Sequence, residues 1–168
     1  ASPIIHMVLK WHLSDYHGFS NEDEVLAAIR KGNPSPGIHM LPFCKDMKDM
    51  ANPDVLAKFR QGPTGKFILR AGAEPSMGKP LLQWFVLCLV VSLLCAMLAA
   101  HTLAAGTPFQ QVLCVTGTAA FMAYGFGAFI QGIWWGQPWG AVAKDAIDGV
   151  IFALVTGATF GWLWPQVA

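Results

Sequence analysis

Between residue 81 and the C-terminus only Lys144, Asp145 and Asp148 carry charge, and they sit together. A carboxylate at the edge of an apolar segment is where proton or ion handling would be sought, because burying that charge is costly. Asp148 is the candidate. The competing reading is structural. Lys144 lies four residues earlier on the same helical face and can pair with it, and a carboxylate in the first turn of a helix is favoured by the dipole. The spacing favours this cap and ion pair of Lys144 with Asp148 over a contact with a partner subunit or a proton path. A transport route needs several polar groups in line. Thr116, Thr118, Tyr124, Gln131, Thr156 and Thr159 are scattered, and no second buried charge is expected to answer Asp148.

Five histidines raise a metal or haem reading. His6 and His101 are expected at opposite ends of the apolar segments, so they cannot clamp one haem from both sides. His12 and His17 flank the end of a short apolar stretch, and His39 precedes Cys44 by five residues. No pair has zinc-site spacing. Met47 and Met50 beside Cys44 are spaced as a packing face as much as a soft-metal site. Cys88, Cys95 and Cys114 fall in apolar helices and Cys44 is alone in the polar half, so all four are expected as free thiols. GPTGKF resembles part of a phosphate loop, but Arg60 stands at its leading glycine position and Phe67 where Ser or Thr should follow Lys66. No Ser–His–Asp or Cys–His signature is present, so there is no positive case for an enzyme, and no cofactor or metal is expected.

The elements that would position these residues divide the chain in two. Of its 168 residues 54% are hydrophobic and 12% charged, about half the charge of an ordinary soluble domain. Residues 14–80 hold nine Lys/Arg and eight Asp/Glu. The net charge of +1 gives no case for a nucleic-acid partner. In the polar part, Ser20 or Asn21 caps a helix with Glu22, Asp23 and Glu24 in its first turn and Arg30 and Lys31 in its last, stopped by Gly32. Residues 38–43 and 66–71 read as strands able to pair as a two-stranded ribbon, which would need a helix or a membrane surface to cover it. Between them Asn52 caps a second helix with Pro53 at its first position and Gly62 at its end. Segment 72–80 is a linker.

The apolar part reads as three membrane helices, about 81–103, 109–135 and 146–164, each long enough to cross about 30 Å of hydrocarbon. Residues 1–13 are too short to cross alone. They read as the end of an N-terminal membrane helix whose start is absent, as an interfacial anchor, or as a soluble-domain helix, and Lys10, Trp11 and His12, placed as at an interface exit, favour the first. The expected fold is mainly α: a bundle of membrane helical hairpins with three full spans and a truncated fourth, plus a small α+β polar domain at 14–80. Rows of small residues at every fourth position mark close helix packing: Gly149, Ala153, Gly157 and Gly161; Ser92, Ala96 and Ala100; Ala119, Ala123 and Gly127. Lys10, Lys66, Arg70, Lys79 and Lys144 lie at one set of span ends, and the AAGTP turn and PQVA tail carry no base. The positive-inside rule then places the polar domain in the cytoplasm and the C-terminus outside.

The segments WHLSDYHGFSNEDEV, GIHMLPF, QGPTGKF, MGKPLLQWF and PWGAVAKDAIDGVIFALVTGATFGWLWP together resemble a class of small bacterial inner-membrane proteins with no assigned function. The resemblance implies a full N-terminal membrane helix, partway through which this chain starts. It implies no activity, cofactor or catalytic residue. The expectation is a non-catalytic accessory or structural subunit that packs in the lipid bilayer against a larger membrane complex, of respiratory or photosynthetic type, or against itself. The alternatives are a small transporter or channel component using Asp148, and a metal- or haem-associated membrane protein.

Overall fold

The computed structural model describes residues 10–72 and 74–166. They fall into two compact units, one of residues 17–74 and one built from the N-terminal segment through Tyr16 together with residues 75–168. The expected helix over 1–13 lies mostly outside the described residues. Its visible end is a left-handed Lys10 followed by a 3-10 turn, Trp11–Asp15.

The unit of residues 17–74 is small and open. Helix α1 (Glu22–Lys31) starts after Asn21 and ends at Gly32, with acids in its first turn and bases in its last. The Asn21 side chain bonds Glu24 rather than the backbone. Strand β1 (Gly37–Leu41) pairs antiparallel with β2 (Gly65–Leu69), placing Ile38 opposite Ile68 and His39 opposite Phe67. A 3-10 turn, Met47–Ala51, leads into α2 (Pro53–Gln61), whose Asn52 side chain accepts from Asp54 N–H. The period of two gives the ribbon two faces. His39, Leu41, Phe67 and Leu69 line an apolar cleft with Val25, Ala28 and Ile29 of α1.

The other described helices are α3 (Gly78–Thr102), α4 (Phe109–Tyr124), α5 (Phe126–Trp135) and α6 (Trp139–Leu163). Three helical stretches, with α4 and α5 counted together, are long and apolar enough to cross a membrane. The second stretch was expected to run unbroken over 109–135. It is interrupted at Gly125, where α6 approaches most closely. A Cβ added at Gly149 would lie 2.5 Å from Gly125 Cα and 2.9 Å from its nitrogen. Helix α6 begins seven residues before the expected 146, directly after Pro138, whose fixed φ suits a helix start.

The row on α6 is used within the chain. Gly149, Ala153, Gly157 and Gly161 are all buried. A Cβ at Gly157 would meet Leu113 O at 2.9 Å and Gly117 Cα at 3.1 Å, one at Gly161 would meet the Phe109 ring at 2.7 Å, and Gly117 approaches Ala153 O. The facing row on α4 is Val112, Thr116 and Ala120, flanked by Leu113 and Gly117, which corrects the expected row of Ala119, Ala123 and Gly127. Ala119 packs at the edge of the core, Ala123 is exposed, and a Cβ at Gly127 would meet nothing within 4 Å. On α3 the buried row is Val91, Cys95 and Ala99. Ser92 and Ala96 flank it and Ala100 is exposed. Alanine is common in such helices, so an alanine row need not be the contact row, whereas a glycine pressed on backbone cannot be elsewhere.

Rings and turns complete the packing. Trp84, Tyr124 and Phe152 join α3, α4 and α6, with centroids 5.6–6.0 Å apart. Trp164 Nε1 donates to Ala104 O at 2.9 Å and Gly106 N–H to Pro165 O at 2.8 Å, fastening the α3–α4 turn to the end of α6.

Candidate functional site

The polar groups of this helical unit gather where the Trp11–Asp15 turn meets α6. Pro138 starts α6, so Lys144, Asp145 and Asp148 all lie within it. Asp148 is the tenth residue of α6 rather than a first-turn cap. It precedes Gly149, the tightest point of the packed ridge, and is 95% buried with a relative exposure of 5%. A carboxylate that deep needs a partner. His12 supplies one, with Nε2 3.0 Å from Asp148 Oδ2. The answering group was expected to be Lys144, and it comes instead from the opposite end of the sequence.

Lys144 turns elsewhere. Its ammonium donates to Trp11 O at 2.9 Å, Ser14 Oγ at 2.7 Å and Asp15 Oδ1 at 2.6 Å. An ammonium has three N–H donors, and all three are engaged by the turn. The expected pair of Lys144 with Asp148 is replaced by Lys144 with Asp15 and His12 with Asp148. Four residues along a helix places side chains side by side, but three acceptors fixed by one tight turn outcompete a single neighbour.

His12 stands between two carboxylates. Its Nδ1 is 3.1 Å from Asp15 Oδ2, and Asp145 Oδ1 lies 3.9 Å away. Each ring nitrogen thus has a carboxylate oxygen within hydrogen-bond reach, and only the imidazolium could donate to both. A neutral ring donates only once, and one of the carboxyls must then hold the proton. The Lys144 ammonium bonded to Asp15 holds that carboxyl below its ordinary value of 3.8, with His12 adding to the effect and burial opposing it. Gln137, in the turn before α6, donates to Asp145 Oδ2 at 2.7 Å.

Beside the cluster is a cleft of about 350 Å³ lined by His12, Asp15, Tyr16, Gln137, Pro138, Ala141 and Asp145. Chemically the arrangement can hold or pass one proton between Asp15, His12 and Asp148, and it can fasten the N-terminal turn to α6. Among the described residues no group of three or more His, Cys, Asp or Glu is arranged to hold a metal ion. His39 Nε2 bonds Ser35 O and His101 Nδ1 bonds Met97 O, each within its own segment.

Sequence reasoning placed Lys144 and Asp148 at the site and missed His12, Asp15 and Gln137. A usable signal was present. Three charges in an otherwise uncharged half need counter-charges, and WHLSD is the polar end of the apolar stretch that opens the sequence. Compared with protein-family models, curated proteins and solved structures, the chain matches none.

Proposed function

We propose that the chain is a non-catalytic integral protein of the bacterial inner membrane, an accessory or structural subunit that packs against a larger membrane assembly or a second copy of itself. On this reading the unit of residues 17–74 faces the cytoplasm and the C-terminus lies outside, as the basic residues near the helix ends favour. One observation carries it: the polar groups at the α6 end are engaged with one another, while long apolar flanks stay exposed among the described residues. On α3 Leu82, Phe85, Leu89 and Leu93 are all more than half exposed, and α5 has no buried residue. Such surfaces are stable only against lipid or another apolar surface. Because α4 occupies the glycine ridge of α6, a partner would engage α3 or α5. Purification in mild detergent tests the reading. Recovery in fixed stoichiometry with another integral membrane protein, or as a defined oligomer, supports it. A lone monomer in every mild detergent and in nanodiscs refutes it.

The buried His12–Asp148 pair favours a second reading, a small transporter or channel component that moves protons. In proteoliposomes Asp148→Asn would then abolish a proton flux that the unaltered chain supports, and an unchanged flux would remove Asp148 from the mechanism.

A further inference from the structure

One face of the ribbon in the small unit lines the cleft against α1, with Leu41 at its end still half exposed, and the other face turns away from that cleft. His39, Phe67 and Leu69 turn toward α1. Ile38 and Ile68, directly opposite each other in the register, are 68% and 67% exposed, and Met40 beside them is 38% exposed. Two β-branched side chains paired across strands support the ribbon only modestly, about 0.2–1 kcal/mol, and leave most of their apolar area in water. The same alternation puts Lys66, Ile68 and Arg70 on one side of β2 and its extension, and no ribbon residue on that side is acidic. Apolar centres with basic residues alongside are the pattern of a surface that rests in the headgroup region of an anionic bilayer: the side chains of Ile38 and Ile68 enter the apolar boundary, and Lys66 and Arg70 meet phosphates.

We propose that this face, Ile38, Met40 and Ile68 with Lys66 and Arg70, lies on the surface of an anionic lipid bilayer. The inference rests on the reading of α3 as a membrane span. On that reading the tether is short. Leu69 and Gly78 are nine residues apart, at most about 32 Å of extended chain, so the face is held near the lipid at high effective concentration. A modest apolar area therefore suffices, because association is intramolecular rather than from bulk solution. A two-stranded ribbon, marginal alone, gains its second cover this way.

The test uses the full chain in vesicles of phosphatidylethanolamine and phosphatidylglycerol. It compares three single photo-crosslinking variants: Ile68→benzoylphenylalanine, Phe67→benzoylphenylalanine on the covered face, and Leu93→benzoylphenylalanine on the exposed flank of α3. Lipid adducts at Ile68 and Leu93, with only intrachain products at Phe67, are expected. Arg70→Gln should lower the phosphatidylglycerol share of the Ile68 adducts by about fivefold, the effect of one basic residue at such a surface. Lipid adducts at Leu93 with none at Ile68 overturn the inference while the membrane reading stands. Protein adducts at Ile68 in place of lipid overturn it in favour of a protein partner. No lipid adduct at either position removes the membrane reading and this inference with it. Ile38→benzoylphenylalanine on the same face must give the same result as Ile68.

Discussion

Replacing Gly149 by alanine tests whether the α4–α6 contact depends on a missing Cβ. The added carbon would stand 2.5 Å from Gly125 Cα, 2.9 Å from Gly125 N and 3.2 Å from the Tyr124 carbonyl carbon. Non-bonded carbons settle about 3.5–4.0 Å apart, so the two backbones would have to part by roughly 1 Å at their closest point. Main chain forms the obstacle on both sides, and it has no rotamer to turn away. Overpacking a close-packed interior costs about 1–3 kcal/mol, and the separation also loosens contacts along the rest of the ridge, which favours the upper part of that range. Alanine's better helix propensity offsets about 0.5–1 kcal/mol. The net expectation is a loss of about 1–2.5 kcal/mol. Gly127→Ala is the matched control: its added carbon meets nothing within 4 Å, so it should be neutral or stabilise by up to about 1 kcal/mol. Gly161→Ala should fall between them, since the nearest atoms belong to the Phe109 ring, which can swing, although Phe109 O at 3.2 Å cannot. Dodecyl sulfate titration of each variant in mixed micelles, followed by tryptophan fluorescence and helical ellipticity, gives the order. A Gly149→Ala midpoint at or above that of the unaltered chain would refute the reasoning.

The polar cluster gives two further expectations. In a double-mutant cycle of His12→Ala and Asp148→Ala, the pair should show a coupling of about 1–3 kcal/mol in the same titration, because the carboxylate is almost fully buried; additive effects would show that the two side chains act independently. Asp15 is held below its ordinary value chiefly by Lys144, so it stabilises the fold above about pH 3.8 and that contribution disappears as pH falls through the lowered value. Lys144→Met should remove this part of the acid dependence, as read from stability measured across the acid range, and parallel profiles for variant and unaltered chain would assign the loss to other groups.

Local signals carried most of the small unit. Asn21 and Gly32 bound α1, Asn52 and Gly62 bound α2, and the two β-rich runs pair as read, each shorter at its end. These features are encoded within a few residues: capping side chains, a proline at the first helical position and glycine stops. The apolar lengths likewise identified the three long helical stretches. Composition could not place the start of α6, because hydropathy counts Lys144, Asp145 and Asp148 as the end of a segment although a helix can carry charges that have partners. Nor could it find the break at Gly125, which depends on what Gly149 presses against. For His12 with Asp148 only the need for a counter-charge was legible; the pairing itself was not, since 136 residues separate them and spacing rules describe neighbours on one element. Lys144 with Asp148 obeyed the helical rule and lost to a turn the rule does not see.

Closing contacts at both ends of α6 bear on where a partner could bind. At one end the Trp11–Asp15 turn is bonded to Lys144 and Asp148, and at the other Trp164 and Pro165 are bonded to the α3–α4 turn. Between them α6 is pressed on α4 with backbone against backbone. A helix so constrained along its ridge and at both ends has little freedom to exchange partners, since any shift breaks the tight glycine contacts and the charged cluster together. Helix α3 is different. Its apolar window is 11% buried, against 28% for α6, and its core contacts are a single row of Val91, Cys95 and Ala99 beside the rings around Trp84. Helix α5 contributes no buried residue and follows the break at Gly125. An added protein surface therefore gains most, and disrupts least, against α3 or α5. If the chain is a subunit, contact-disrupting changes such as Leu93→Trp on α3 should release the partner while leaving the stability of the α4–α6 pair unchanged, whereas Gly157→Leu, aimed at a ridge already filled by Leu113 and Gly117, should damage the fold before it damages any assembly.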